Sequence, residues 1–326
     1  LYKTQRRGGR GVKGAALKHD DVITNFFVTT THHWILFFTD RGRVFRVKAY
    51  ELTDTGRDAR GQHVANLLSL APDEHVVEVL DLRDYEQAKY LILATRGGVV
   101  KKSRLTDYDS SRSTGLVAIT IRDEDGVVSA QLVNDEDDLL LVSKMGYSVR
   151  CHADDATLRP MGRTAGGVIG IRFKTDDDYL LKMEIATPDS FVVTVTEGGW
   201  AKRTSIEEWN AKGRGTQGVR AMRLVEKRGG LAGALICAAQ DEIFAIASNG
   251  VVIRTRVDEI RAAGRDTMGV SFMKVGDDEQ VVAVARSRAA ALAALESVEI
   301  PNNVADQEDE LEVDAAADAM TQGEEV

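Results

Sequence analysis

Seven residues near the start of the chain, Gln5-Arg6-Arg7-Gly8-Gly9-Arg10-Gly11, set three guanidinium groups among three glycines, and no carboxylate precedes Asp20. Arginine offers a planar fork of donors that matches phosphate oxygens and stays charged at any cellular pH. Glycine lets backbone N–H groups come close to the same ligand. The chemistry this pattern supports is capture of a phosphate backbone, and Lys13 adds a further cation two residues on. The competing reading is a flexible basic arm that meets nucleic acid without folding.

What must position such a loop is a repeat. A glycine that closes a polar loop and opens an apolar run recurs at Gly11, Gly61, Gly115, Gly167, Gly218 and Gly269, at spacings of 50, 54, 52, 51 and 51 residues. Between these lie hairpin turns at Asp40-Arg41-Gly42, Thr95-Arg96-Gly97, Lys144-Met145-Gly146, Thr196-Glu197-Gly198 and Ser248-Asn249-Gly250. Each is flanked by β-rich runs, and glycine supplies the positive φ that the turn demands. After each hairpin one apolar anchor follows, Leu52, Tyr108, Leu158, Trp209 or Ile260. A period near fifty, with about four strands per unit and almost no long helix, predicts an all-β, radially bladed fold, a propeller or pinwheel. Six glycine turns but five hairpins predict that the first hairpin lies just upstream of Leu1, where it would complete a six-bladed β-pinwheel.

The repeat makes the chain its own alignment. Four residues after the hairpin glycines stand Arg46, Lys101, Arg150, Lys202 and Arg254, all basic, although Lys and Arg together fill only 42 of 326 positions. Lys48, Lys102, Arg203 and Arg256 add charge close by. Four residues before the repeat glycines stand Arg7, Arg57, Ser111, Arg163, Arg214 and Arg265. A position repeated in every blade becomes a ring, and a ring of cations suits a curved polyanion. The alternative for both columns is that the cations pin blade to blade through carboxylates or carbonyls.

Net charge of −9 fits a nucleic-acid binder only once the charges are placed. Residues 305–326 hold nine acids and no base, and the rest of the chain is balanced. The chain therefore divides into a β domain at 1–286, an Ala-rich linker or short helix at 287–304, and an acidic tail at 305–326 that is expected to be disordered. Two cysteines and six histidines without ligand spacing argue against a disulfide framework and a metal site. No apolar run is long enough to span a bilayer and no signal-peptide pattern opens the chain, so the expected location is cytoplasmic. Gly213-Arg214-Gly215-Thr216-Gln217-Gly218 matches the spacing of a dinucleotide fingerprint, but it follows no strand and leads into a β-like run, so no helix N-terminus awaits a pyrophosphate.

With a radius of gyration near 19 Å for some 300 residues, a disc rim carries roughly 40 base pairs, and bending them through half a turn costs on the order of 10 kcal/mol. Many phosphate contacts must offset that, with affinity falling steeply in salt. No helix carries side chains fit for a major groove, so shape and bendability are the expected selectivity.

The string at residues 5–11 resembles the box that marks the C-terminal DNA-wrapping domain of the DNA gyrase A subunit, with Arg10 where lysine is often found. The resemblance extends through residues 1–286, including 36–48, 59–68 and 95–102, and is strongest to actinobacterial members. It implies a six-bladed β-pinwheel that wraps double-stranded DNA, so that ATP-dependent strand passage by the whole enzyme introduces negative supercoils. The DNA-binding box residues it carries over are Gln5, Arg6, Arg7, Gly8, Gly9, Arg10 and Gly11. Residues 213–218 resemble the second box of some members, with Gln217 in place of a lysine. The partners implied are the gyrase B subunit, together with the upstream part of the same A subunit, in a heterotetramer of two A and two B on the bacterial nucleoid. The active tyrosine, its arginine, and the ATP and Mg sites belong in the family to those other parts, so this stretch is expected to hold no catalytic residue and no cofactor. The C-terminal domain of the topoisomerase IV A subunit, which lacks an intact box, and a propeller-like scaffold for protein partners are the alternatives.

Overall fold

In this computed structural model residues 29–55, 61–112, 114–122, 124–249, 251–276 and 278–287 are described. Along the chain β1 (Trp34–Thr39) and β2 (Arg43–Lys48) form a hairpin, and β3 (Val76–Leu82) returns beside β1. The next unit has β4 (Tyr90–Thr95), β5 (Val99–Arg104), the two-residue β6 (Leu116–Val117) and β7 (Val127–Val133). The cycle recurs as β8 (Asp138–Ser143), β9 (Tyr147–His152), β10 (Val168–Ile169) and β11 (Leu180–Ile185). It recurs again as β12 (Phe191–Thr196), β13 (Trp200–Ser205), β14 (Val219–Arg220) and β15 (Leu231–Cys237). The last unit holds β16 (Glu242–Ala247), β17 (Val252–Arg256), β18 (Val270–Ser271) and β19 (Val281–Ser287).

These strands make five antiparallel sheets among the described residues, where six blades were expected. Four sheets have four strands, in the orders β3-β1-β2-β6, β7-β4-β5-β10, β11-β8-β9-β14 and β15-β12-β13-β18; the fifth is β17-β16-β19. Each outer strand is thus supplied by the following unit, just after its repeat glycine. Pairing of this kind joins residues about seventy apart, such as Arg43 with Val117, and ties each blade to the next. The turn ending at Gly11 and its expected partner hairpin fall outside the described residues, as do the expected linker and acidic tail.

The first strand of each hairpin reads as an unbroken apolar run because both its faces are covered. Leu36 and Phe38 of β1 pack with Leu91 and Leu93 of β4, while Ile92 of β4 points the other way, to Leu139 and Leu141 of β8. Leu140 and Val142 then meet Val192, and Val193 and Val195 meet Ile243 and Ala245. Successive residues of one strand therefore serve successive inter-blade cores, and burial of each such side chain stabilises by about 1.5–3 kcal/mol. The anchors complete the cores: Tyr108, Leu158, Trp209 and Ile260 are buried and Leu52 is partly so. Inner strands face a common axis, where Lys182 of β11 reaches Glu78 of β3 at 2.7 Å past the intervening blade.

Hairpin loops of three residues end in a glycine of positive φ: Gly42 at +74°, Gly98 at +78°, Gly146 at +77° and Gly199 at +74°. At the paired glycines it is the second that turns, one residue later than the sequence predicts at Gly97 and Gly198. The tightest of these is Gly199, where an added Cβ would lie 2.1 Å from the carbonyl oxygen of Met273 in the next unit. Gly199→Ala is therefore expected to lower stability by about 1–3 kcal/mol, read as the shift of the urea midpoint at unchanged slope.

Candidate nucleic-acid interface

The one-residue displacement of the turns changes which basic residues share a face, because a slip of one residue carries a side chain to the other side of a strand. The pairs Leu36–Arg46, Ile92–Lys102, Leu140–Arg150, Val193–Arg203 and Phe244–Arg254 are structurally equivalent. The basic column of the hairpins is thus Arg46, Lys102, Arg150, Arg203 and Arg254. Lys101 and Lys202 belong to the neighbouring column, with Phe45, Val149 and Ile253, and point inward.

Lys101 and Lys202 are fully buried. The Lys101 ammonium donates to Tyr108 Oη at 3.1 Å and to the carbonyls of Ala118 and Arg163. Lys202 donates to the carbonyls of Gly264 and Arg265, each at 2.6 Å. Neither has a carboxylate partner among the described residues. Burial, with Arg163 nearby, pushes Lys101 down to about 7, and burial pushes Lys202 down to about 8. Both are removed from the expected ring of phosphate contacts, since a side chain without exposed surface cannot meet a duplex.

The corrected column is also spent on joints. Arg46 lies 3.9 Å over the Trp34 ring and donates to Tyr85 Oη at 2.9 Å and Asp109 Oδ1 at 2.5 Å. Lys102, fully buried, donates to Ala153 O and Asp155 Oδ1 at 2.6 and 2.7 Å. Arg150 takes Asp138 at 2.8 Å and the carbonyls of Trp209 and Ile206 at 2.9 and 3.2 Å. Arg203 gives its Nε–H to Ile260 O at 2.9 Å. In these four cases the cation reaches the anchor turn of the following unit, which is the pinning alternative. Lys48 donates to His32 O and stacks on Trp34, while the exposed Arg254 and Arg256 pair with Glu242 and Asp258.

The loop column lies on the rim. Arg163, Arg214 and Arg265 are half-buried, and each gives Nη1 to the carbonyl of the outermost strand's second residue: Val117, Ile169 at 3.2 Å and Arg220 at 3.4 Å. Arg57 and all box residues from Gln5 to Lys13 lie outside the described residues. Beside the loop column runs a set of exposed cations that sequence reasoning missed: Arg122, Arg172, Lys174, Arg223 and Lys274. Arg172, Arg223 and Lys274 sit five residues past their repeat glycines, and Arg122 and Lys174 seven past theirs; that count was the signal available. The backbone N–H of Arg172 meets Thr216 O and that of Arg223 meets Thr267 O, so this position marks the seam between units. Asp266 bridges Arg220 and Arg223, and the Arg223 guanidinium holds its carboxyl down at about 2.

Gly213 to Gly218 leads into a strand, β14, as the sequence predicts. Among the described residues no group of three or more His, Cys, Asp or Glu could hold a metal ion, and no helix is long and apolar enough to cross a membrane.

A bladed all-β fold whose seams carry arginine and lysine belongs to the class of β-propeller domains. Six segments, 1–30, 33–81, 89–134, 137–187, 190–238 and 241–288, match the family described as DNA gyrase C-terminal domain, beta-propeller, and the chain belongs to that family. It is 51% identical to the DNA gyrase A subunit of Streptomyces coelicolor over 99% of this chain and 52% identical to that of Mycolicibacterium smegmatis over 88%. It spans 38% and 34% of the lengths of those relatives. Among solved structures it resembles the C-terminal domain of DNA topoisomerase IV, with a TM-score of 0.74 and 27% identity over 82% of this chain and 84% of that one. A DNA gyrase A C-terminal domain shares the fold, with a TM-score of 0.69 and 22% identity over 87% of this chain and 92% of that one. Both enzymes use this architecture; the sequence places the chain with the gyrase A subunit.

Proposed function

We propose that this chain binds duplex DNA along its rim and bends it, as the wrapping part of a gyrase A subunit. The observation that carries the reading is the recurrence of rim cations at the same seam of successive units, Arg163, Arg214 and Arg265 with Arg172, Arg223 and Lys274 beside them. Cations recurring at the same place in successive units suit a line of phosphates, and contacts to phosphate fix position without reading sequence. The box at residues 5–11 would clamp one end of that path. A sixth blade completes the ring in this reading, supported by the separate family match at 1–30 and by the fifth sheet, whose β17 has an exposed edge where the other four sheets carry a fourth strand.

In the whole protein, cleavage, ATP and Mg2+ belong to the B subunit together with the upstream part of the A subunit, two copies of each, working on the nucleoid in the bacterial cytoplasm. The greater length of the relatives supports this, and the Gly-rich run at 213–218 opens a strand instead of a phosphate-binding helix. Incubated with relaxed circular DNA and a nicking-closing enzyme, the chain is expected to trap writhe of one sign, resolved as shifted topoisomers on a gel. An unchanged linking number would refute wrapping.

A further inference from the structure

Down the inner strands one repeat position stands out. Phe38, Ala94, Val142, Val195 and Ile246 are equivalent, and their inner-strand partners are Glu78, Ser129, Lys182, Gly233 and Ala283. Packing explains the small residues. It does not explain two charges of opposite sign placed two units apart. Lys182 Nζ lies 2.7 Å from Glu78 Oε2, and at this position the intervening unit has the small, buried Ser129, whose Oγ accepts the backbone N–H of Met183 at 3.1 Å.

A second contact repeats the step across two units. Arg286 of β19 donates from Nη1 to Ile236 O in the fourth unit, and its Nη2 stands 4.0 Å from Glu184 Oε2 in the third. Lys182 and Glu184 are two apart on β11 and so share a face. The first, third and fifth units are thus joined by charge along the axis, over and above the packing of neighbours. With side chains only 25% and 12% exposed, the Lys182–Glu78 pair is screened less by salt than a pair on the rim. Burial opposes the charge on Lys182, but Glu78 and Glu184 outweigh it and raise its pKa above the ordinary lysine value.

Desolvation offsets much of the attraction in such a pair, so its contribution to stability is small. Its geometric effect is larger. Neighbouring units meet through packed apolar faces and short outer strands, which leave each joint free to tilt, whereas a tie that spans two joints fixes their combined angle.

We infer that Lys182 is a positioning residue for wrapping: with Glu78, Glu184 and Arg286 it sets the pitch at which successive units stack, and so the writhe of a duplex laid along the rim. None of the four touches DNA in this assignment. The link to writhe rests on the DNA reading above, and the pitch does not.

Pitch is read first, without DNA. Cys151 and Cys237 are buried, so spin labels can be directed to Glu86→Cys and Gln240→Cys, exposed positions in the loops that follow β3 and β15. In that background Lys182→Met and Glu78→Gln should each shift and broaden the label-to-label distance measured by pulsed electron paramagnetic resonance. Lys182→Arg, which keeps the charge, should preserve it. Glu78→Gln keeps the side-chain shape and carries the test if Lys182→Met folds poorly by far-UV circular dichroism. An unmoved distance in the uncharged variants, or an equal shift in Lys182→Arg, would overturn the ionic tie.

Writhe is read next, on relaxed circles with a nicking-closing enzyme. Lys182→Met should lose about half of the writhe trapped per bound chain, while duplex affinity stays within about twofold because the rim cations are untouched. A merely structural defect would lower both together. A shifted distance with unchanged writhe would overturn the positioning role. No duplex binding by the unsubstituted chain would remove the DNA reading instead, and the distances would still decide for or against the tie.

Discussion

Replacing Arg172, Arg223 and Lys274 together by alanine is expected to weaken duplex binding about a hundredfold near 0.1 M salt and to reduce the log–log salt slope by about 2.7, since each phosphate contact contributes about 0.9. These side chains are exposed and lie on the seams, so the fold should tolerate their loss. The informative contrast is Lys102→Met. That side chain is fully buried and committed to Ala153 and Asp155, so its removal should lower stability by about 1–3 kcal/mol through the stranded acceptors yet leave the salt slope of the folded protein unchanged. Anisotropy at four or five salt concentrations separates the two. Equal slopes for the triple variant and the unsubstituted chain would mean that the duplex runs elsewhere.

Stability is expected to rise with pH between about 7 and 10, contrary to the usual decline in alkali. Lys101 and Lys202 are pushed down to about 7 and 8 by burial, whereas an unfolded lysine titrates near 10.4. Between those values the unfolded chain binds more protons than the folded one, and stability then increases with pH. From pH 7 to 9.5 the gain is on the order of 3 kcal/mol from Lys101 and 2 kcal/mol from Lys202. The groups facing Lys101 are Tyr108, Asp107 and Arg163; those facing Lys202 are Glu208, Asp266 and Arg265. Burial pushes Tyr108 itself up to about 12, so it does not titrate in this window. Urea unfolding of the unsubstituted chain and of Lys101→Met/Lys202→Met at each pH isolates the contribution, because other groups cancel in the difference. A flat difference curve would mean that the carbonyl acceptors keep both ammonium groups charged.

The blade period was legible because each unit meets the same steric demand at the same place. Gly42, Gly146 and their equivalents must turn with positive φ under the backbone of the next unit, and only glycine does so freely. Where two glycines stand together, at 97–98 and 198–199, the sequence offers two residues for one turn, and nothing local decides between them. Choosing the first put Lys101 and Lys202 on the outer column and Lys102 and Arg203 beside it, the reverse of their placement. The exposed rim was harder to see. Strands of two residues, such as β6 and β10, are too short for alternation to register, and their partners lie in the preceding unit. Arg172 and Arg223 follow such strands, so their shared seam emerges only once the long-range pairing is known.

The outer strands have a mechanical consequence. Leu116 and Val117 hold β2 through two residue pairs, whereas β3 holds β1 through six. A load drawn outward on the rim therefore meets its weakest ladder first, and that ladder is clasped from outside by Arg163 on Val117 O. The hub, with its unbroken apolar strands and the axial Lys182–Glu78 contact, is expected to hold until those short strands have parted. The domain pairs a firmly laddered interior with lightly laddered outer strands, so a polymer bent around it is expected to strain the outer strands first.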